Sequence, residues 1–150
     1  MDKKIFLVLM LVGVVGVGGY MILSKPKLTE PSTEKVEIIT QVENSRYIEY
    51  SKTAFDKVIT KRRVLFFYAS WCPTCRPADA SFRENIGKIP ENLTIIRINY
   101  NDPDTDQEEK DLARKYGITY QHTYVQIDAD GKEITKWNGG QFDELLSKIK

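Results

Sequence analysis

The alternation of apolar and polar positions divides the chain into three stretches. Residues 5–23 read IFLVLMLVGVVGVGGYMIL, apolar on every face and interrupted by no charge. As a helix they span about 28 Å, close to the roughly 30 Å hydrocarbon core of a bilayer. Lys3 and Lys4 stand before the run and Lys25 and Lys27 behind it, so residues 1–24 are expected to form an N-terminal transmembrane anchor. The alternative is a cleaved signal peptide, with Val17 and Gly19 as the small residues of a cleavage site, but the apolar run continues past them. Residues 25–45 hold two prolines, several charges and few large apolar side chains, the composition of a polar linker; residues 36–42 within it could pair as a short strand. From residue 46 the pattern turns globular. RYIEY alternates and predicts a strand over 46–50, and Ser51 stands where it can cap a helix carrying Ala54, Phe55, Val58 and Ile59 at helical spacing. The run VLFFYA predicts a strand over 64–69 buried on both faces, and LTIIRIN another over 93–99. Between them, residues 75–89 read as a helix. Thr105-x-x-Glu108 has the form of a capping box before a helix that ends at Tyr116-Gly117. Residues 124–128 and 133–137 predict a hairpin around Asp130-Gly131, and residues 141–149 a last helix. The order β-α-β-α-β-α-β-β-α argues for a layered α/β domain over 46–150, with a central mixed sheet flanked by helices.

Composition narrows the chemistry. A chain of 150 residues holds one ordinary domain and an appendage. Its net charge of +1 gives no reason to expect nucleic acid or another polyanion as partner. The only two cysteines are Cys72 and Cys75. A disulfide between them closes a very small loop and removes little entropy from the unfolded chain, so the pair looks chemical rather than architectural. A four-cysteine zinc site is excluded by count. Positive charge is similar on the two sides of residues 5–23, and the terminal amine tips the N-terminus toward the cytoplasm. The chain is therefore expected to be single-pass in the cell membrane with its domain extracytoplasmic.

The pair follows a buried strand and opens a helix, in Trp71-Cys72-Pro73-Thr74-Cys75. Unpaired N–H groups and the dipole at a helix N-terminus favour a thiolate on the first cysteine, and the thiolate is the species that attacks a disulfide. Cys72 is thus expected to be the attacking, more exposed thiol and Cys75 the buried resolving thiol. Pro73 suits the first helical turn; Pro77, farther in, removes one possible helix bond.

Phe67-Tyr68-Ala69-Ser70-Trp71-Cys72-Pro73-Thr74-Cys75, Lys115-Tyr116-Gly117-Ile118-Thr119, the final hairpin and Gly139-Gly140 before the last helix together resemble the thioredoxin family over residues 46–150. The resemblance implies a thioredoxin-like fold and reversible dithiol–disulfide exchange through a Cys72–Cys75 redox-active disulfide with no added cofactor. Protein thiols and disulfides are expected as substrates, with a redox partner whose identity stays open, and the chain is expected to be a monomer. It also implies that Trp71, with Pro73 and Thr74, shapes the surface beside the active site; a plain core aromatic is the other reading of Trp71. Two departures stand out. The family usually carries a buried acid in the strand before the motif, as proton acceptor for the resolving thiol; Phe66 stands there, and Arg97 stands where a lysine is often found near that acid. The family also places a cis-proline after Tyr116-Gly117-Ile118; counting along the chain puts His122 there, with Gln121 as the residue whose backbone would meet a substrate chain. A cis bond before a non-proline residue costs about 3 kcal/mol, so a trans bond and an altered loop are expected. His122, the only histidine, has three readings: a polar loop residue, a group that tunes Cys72 or carries its proton, or a third metal ligand with Cys72 and Cys75. Asp102, Asp104 and Asp106 alternate like a calcium loop, but Gln107 and Ala113 stand where that loop needs glycine and glutamate, so a helix-capping acidic loop is the better reading.

Overall fold

The structure is a computed structural model and describes residues 46–150. The expected anchor, the linker and the short strand over 36–42 lie outside the described residues. The elements are β1 (Tyr47–Glu49), α1 (Lys52–Lys57), β2 (Arg62–Tyr68), α2 (Cys75–Glu84), a 3-10 turn (Ile86–Lys88), β3 (Leu93–Asn99), α3 (Gln107–Lys115), β4 (Thr123–Ile127), β5 (Glu133–Asn138) and α4 (Phe142–Lys148). They form one mixed sheet in the order β1-β3-β2-β4-β5. Both β1 and β2 run parallel to β3, while β4 runs antiparallel to β2 and to β5.

This arrangement puts β2 at the centre, hydrogen-bonded on both sides, with Val64 to Phe67 fully buried. Successive side chains of a strand point to opposite faces. Val64 and Phe66 therefore enter the core shared with Phe82 of α2 and Phe142 and Leu145 of α4. Leu65 and Phe67 enter the other core, which Ala113 of α3 and Phe55 of α1 help to close. Two filled faces explain why β2 reads as a continuous apolar run rather than an alternating one. They also hold rigid the end of β2 from which the cysteine pair departs.

Several element ends differ from expectation for identifiable reasons. Helix α2 stops at Glu84, where the side-chain amide of the C-cap residue Asn85 also bonds the Ser81 carbonyl and the chain continues as the 3-10 turn. The capping box lies one residue on from Thr105 and Glu108. Asp106 Oδ1 accepts from Glu109 N at 2.8 Å, and Glu109 Oε2 accepts from Asp106 N at 3.0 Å. Glu109 takes this role because it is buried and its other oxygen accepts from Asn99 N at 2.7 Å, at the end of β3. Thr105 Oγ1 instead accepts from Asp102 N. Helix α3 ends in a Schellman turn at Gly117, whose φ of 59° suits glycine, with Gly117 N bonded to Arg114 O and Ile118 N to Ala113 O.

Candidate functional site

The site begins where β2 runs out. Ala69 is buried, its carbonyl accepts from Cys72 N at 3.1 Å, and the carboxylate of Asp102 accepts from Ser70 N. The turn so fixed leads into α2. Arg76 N to Cys72 O and Ala78 N to Thr74 O, each 3.4 Å, flank the one bond that Pro77 cannot donate. Trp71 is half exposed and its indole N–H donates to Asn101 O at 2.8 Å. It is thus a surface ring held in one orientation rather than a core aromatic. Asn101 takes a φ of 54° to present that carbonyl. Pro73 and Thr74 are exposed beside it.

Both cysteines are free thiols. Cys72 is 2% exposed and Cys75 0%, so the expected contrast in exposure shrinks to almost nothing. Cys72 packs in the same core as Phe66 and Ala69, and its sulfur is wrapped by its own turn. Cys72 Sγ accepts from Cys75 N at 3.2 Å and lies 3.4 Å from Thr74 Oγ1. The real contrast is electrostatic. Burial pushes the Cys72 thiol up, but the hydrogen bonds from Cys75 and Thr74 outweigh it and leave the group below its ordinary value. Burial, reinforced by the Cys72 sulfur, pushes Cys75 up to about 12. One thiol is thus primed to ionise and its neighbour to keep its proton.

Phe66 is fully buried, opposite Arg97 on β3 and Tyr124 on β4. Its ring stacks on Tyr124 at 4.8 Å between centroids and meets Phe82 at 5.6 Å and the imidazole of His122 at 5.8 Å. An aromatic box fills the space that an acid on β2 would occupy. Arg97 turns instead to Glu49 at 2.7 Å and to Asp79 of α2 at 3.3 Å. Asp79 also accepts from Tyr47 Oη at 2.6 Å and from Arg83. Burial would raise its carboxyl, but the bonds from Arg83 and Tyr47 hold it below the usual range. The sequence signal for this network is the Asp79–Arg83 spacing of four on α2; Asp102 as the acceptor for the active-site turn carries no local signal.

The described residues contain no cis peptide bond, and His122 has a φ of 60°. Its backbone is anchored on both sides: N donates to Phe67 O at 2.7 Å, and O accepts from Gly139 N at 2.9 Å and Asn138 Nδ2 at 3.0 Å. The carbonyl of Gln121 accepts from the same Asn138 amide at 3.3 Å, so the backbone expected to meet substrate is engaged within the chain on its acceptor side. The His122 ring is buried, with Nδ1 2.8 Å from Thr74 Oγ1 and Nε2 3.0 Å from Gly140 O. With both nitrogens so directed, the three-ligand metal site of Cys72, Cys75 and His122 is not assembled. Among the described residues, no group of three or more His, Cys, Asp or Glu is placed to hold a metal ion. Asp102 and Asp106 serve as caps, Asp102 on the active-site turn and Asp106 on α3.

Residues 46–150 match the protein family described as Thioredoxin. Thioredoxin H4 of Arabidopsis thaliana is 30% identical over 93 residues, which cover 62% of this chain and 72% of that protein. Thioredoxin H2-2 of Oryza sativa subsp. japonica is 30% identical over 86 residues, 57% of this chain and 58% of that one. Among solved structures, the thioredoxin of Fasciola hepatica aligns at 27% identity with a TM-score of 0.52, over 69% of this chain and 95% of that chain. The long form of thioredoxin f from spinach chloroplast aligns with a TM-score of 0.55 over 77% of this chain and 89% of that one, at 21% identity, a likeness of fold alone.

Proposed function

The chain belongs to the thioredoxin family, and we propose that it is a thiol–disulfide oxidoreductase acting on protein disulfides through Cys72 and Cys75. The observation that carries this reading is the placement of two adjacent free thiols at the start of α2, with Cys72 Sγ accepting from Cys75 N at 3.2 Å and 3.4 Å from Thr74 Oγ1, and it accords with one thiol held below its ordinary value and the other raised. The Cys72 thiolate attacks one sulfur of a substrate disulfide. The substrate S–S bond breaks, a mixed disulfide forms, and the departing sulfur takes up a proton. Cys75 then loses its proton and attacks Cys72 Sγ, releasing the second substrate thiol and closing a Cys72–Cys75 disulfide. Two electrons and two protons pass to the substrate, and a redox partner restores the dithiol. Cys75, raised by burial, stays protonated while Cys72 attacks, so Cys72 is the sulfur that enters the mixed disulfide. Trp71, exposed and fixed by Asn101, offers an apolar face to the incoming chain beside Pro73 and Thr74.

The same proposal puts the domain on the outer face of the cell membrane as a monomer, tethered through residues 5–23 and a polar linker. The uncharged 19-residue run and its flanking lysines support the tether. Disulfide reduction by the full chain, with insulin as substrate and Cys72→Ser as control, tests the chemistry. Turnover by the parent and none by the variant is expected; equal turnover by both sinks the proposal. The reduction potential of the pair then separates reductase from oxidase. Membrane fractionation with protease accessibility in intact cells tests the placement, and recovery of the chain in the soluble fraction would overturn it.

A further inference from the structure

Thr74 Oγ1 lies between two groups that compete for its one hydrogen: Cys72 Sγ at 3.4 Å and His122 Nδ1 at 2.8 Å. The state of the imidazole decides which of them receives it. Gly140 O is a carbonyl and can only accept, so the ring nitrogen 3.0 Å from it, Nε2, carries a proton in the neutral and the charged imidazole alike. The same carbonyl accepts from Tyr124 Oη at 3.0 Å. Its position depends on glycine. Gly140 has a φ of 104°, and a Cβ there would meet Glu144 Cβ at 2.9 Å. In neutral His122, then, Nδ1 is an acceptor. Thr74 gives its hydrogen to Nδ1 and can only accept from Cys72 S–H.

We propose that Thr74 and His122 form a proton relay for Cys72, with His122 as the terminal base and the Gly140 carbonyl fixing its tautomer. Cys72 Sγ passes its proton to Thr74 Oγ1 while Thr74 passes its own to His122 Nδ1. One S–H, one O–H and no N–H at Nδ1 become a thiolate, an O–H now aimed at sulfur, and an imidazolium. No proton leaves the site, and every hydrogen bond of the chain is retained with its direction reversed. Thiolate formation at Cys72 and charging of His122 are then one event. Besides the cysteines, the titratable side chains facing this ring are Tyr124 on β4, whose phenol burial pushes up, and Glu144 on α4 across a hollow of about 270 Å³ lined also by Pro73, Thr74 and Pro77. The relay rests on the exchange reading for its purpose but not for its detection.

The test uses the reduced full chain, in which the one histidine gives a single ring resonance. Its chemical shift and the ultraviolet absorbance of the Cys72 thiolate are followed through pH in the parent, Thr74→Val and Thr74→Ser. Thr74 is exposed and valine is isosteric, so all three fold. The histidine curve of the parent and of Thr74→Ser is expected to show an inflection that coincides with thiolate formation; in Thr74→Val that inflection disappears. Disulfide exchange by Thr74→Val is expected to fall about tenfold at neutral pH and to match the parent at alkaline pH, where Cys72 is already ionised. Identical histidine curves in all three proteins overturn the relay, and so does Thr74→Ser behaving like the valine variant. A parent that shows the coupled inflection but reduces no disulfide would overturn the exchange function and leave the relay standing.

Discussion

Restoring an acid at residue 66 tests whether the aromatic box, rather than chance, excludes a carboxyl from β2. Phe66 is fully buried on the central strand, with the rings of Tyr124, Phe82, Tyr68 and His122 all within 5.8 Å between centroids. Emptying such a site costs about 3–5 kcal/mol in lost burial and residual cavity. An aspartate in the space left behind faces a choice. Ionised, it adds a desolvation cost of several kcal/mol, since Arg97, the cation opposite, is already paired with Glu49 and Asp79, and the imidazole of His122 could meet it only by leaving Thr74 and Gly140. Protonated, it leaves polar atoms among rings, at about 1–3 kcal/mol. Phe66→Asp should therefore lose roughly 4–8 kcal/mol, comparable with the whole stability of an ordinary domain, whereas Phe66→Leu should lose about 1–2 kcal/mol. Urea unfolding of the reduced full chain, followed by tryptophan fluorescence, measures both. A Phe66→Asp protein within about 1 kcal/mol of Phe66→Leu would refute the reasoning, because it would mean the site admits water or that Arg97 leaves its partners at little cost.

Three further outcomes follow from the same contacts. Iodoacetamide at neutral pH should alkylate Cys72 well before Cys75, since one thiol lies below its ordinary value and the other is raised to about 12; mass spectrometry of the reduced, briefly labelled chain reads the order, and equal labelling would contradict it. Because the folded value of Cys75 is raised, its stabilising contribution is present below the unfolded value and is lost as pH climbs. Relative to Cys75→Ala, the reduced parent should lose on the order of 4 kcal/mol between about pH 9 and 12, and a constant difference across that window would count against a buried, neutral thiol. Asp102→Ala should cost about 0.5–1.5 kcal/mol by stripping the acceptor from Ser70 N, an exposed group that water partly satisfies, and Asp102→Asn should recover part of it; chemical unfolding of both variants measures the pair.

How far the fold could be read from the chain differs from element to element. Strand β3 was legible to the residue because Leu93, Ile95, Ile96 and Ile98 cluster within LTIIRIN, all β-forming or aliphatic types. Strand β2 begins two residues earlier than its apolar run, at Arg62, because Arg63 is a core residue in disguise. It is 1% exposed, its guanidinium donates to the carbonyls of Asp128 and Ala129, and it lies over the ring of Phe55. A charge reads locally as solvent; the carbonyls that take up this one lie some sixty residues away. The cysteine pair was legible for the opposite reason, since its chemistry depends on a local turn and a helix start. The capping box fell between, with two overlapping candidates one residue apart. The tie was broken by Asn99 N at the end of β3, which donates to Glu109.

The two departures from the family pattern, Phe66 and His122, are physically one change. A carboxylate on β2 would face the imidazole of His122, whose ring sits 5.8 Å from that of Phe66, and the two would pair in the core. An aromatic side chain at residue 66 removes that competitor and leaves the imidazole two polar neighbours, Thr74 Oγ1 and Gly140 O. The backbone completes the selection. A trans peptide with φ of 60° lets residue 122 bond Phe67 O through its N–H, which proline lacks, and so ties the loop to the end of β2. Left-handed φ in a non-glycine residue costs of order 1–3 kcal/mol and persists only where the surroundings over-determine it. Here three backbone bonds and two ring bonds do so. Histidine is tolerated at that angle better than a β-branched residue, and its ring reaches toward Cys72 through Thr74. In the proposed relay the proton acceptor lies in the loop in front of Cys72 rather than on the strand behind Cys75. A substitution at either position should therefore be read with the other: Phe66→Asp with His122→Asn should lose measurably more stability than the two single losses added, because the second change removes the imidazole that a carboxylate at residue 66 would pair with.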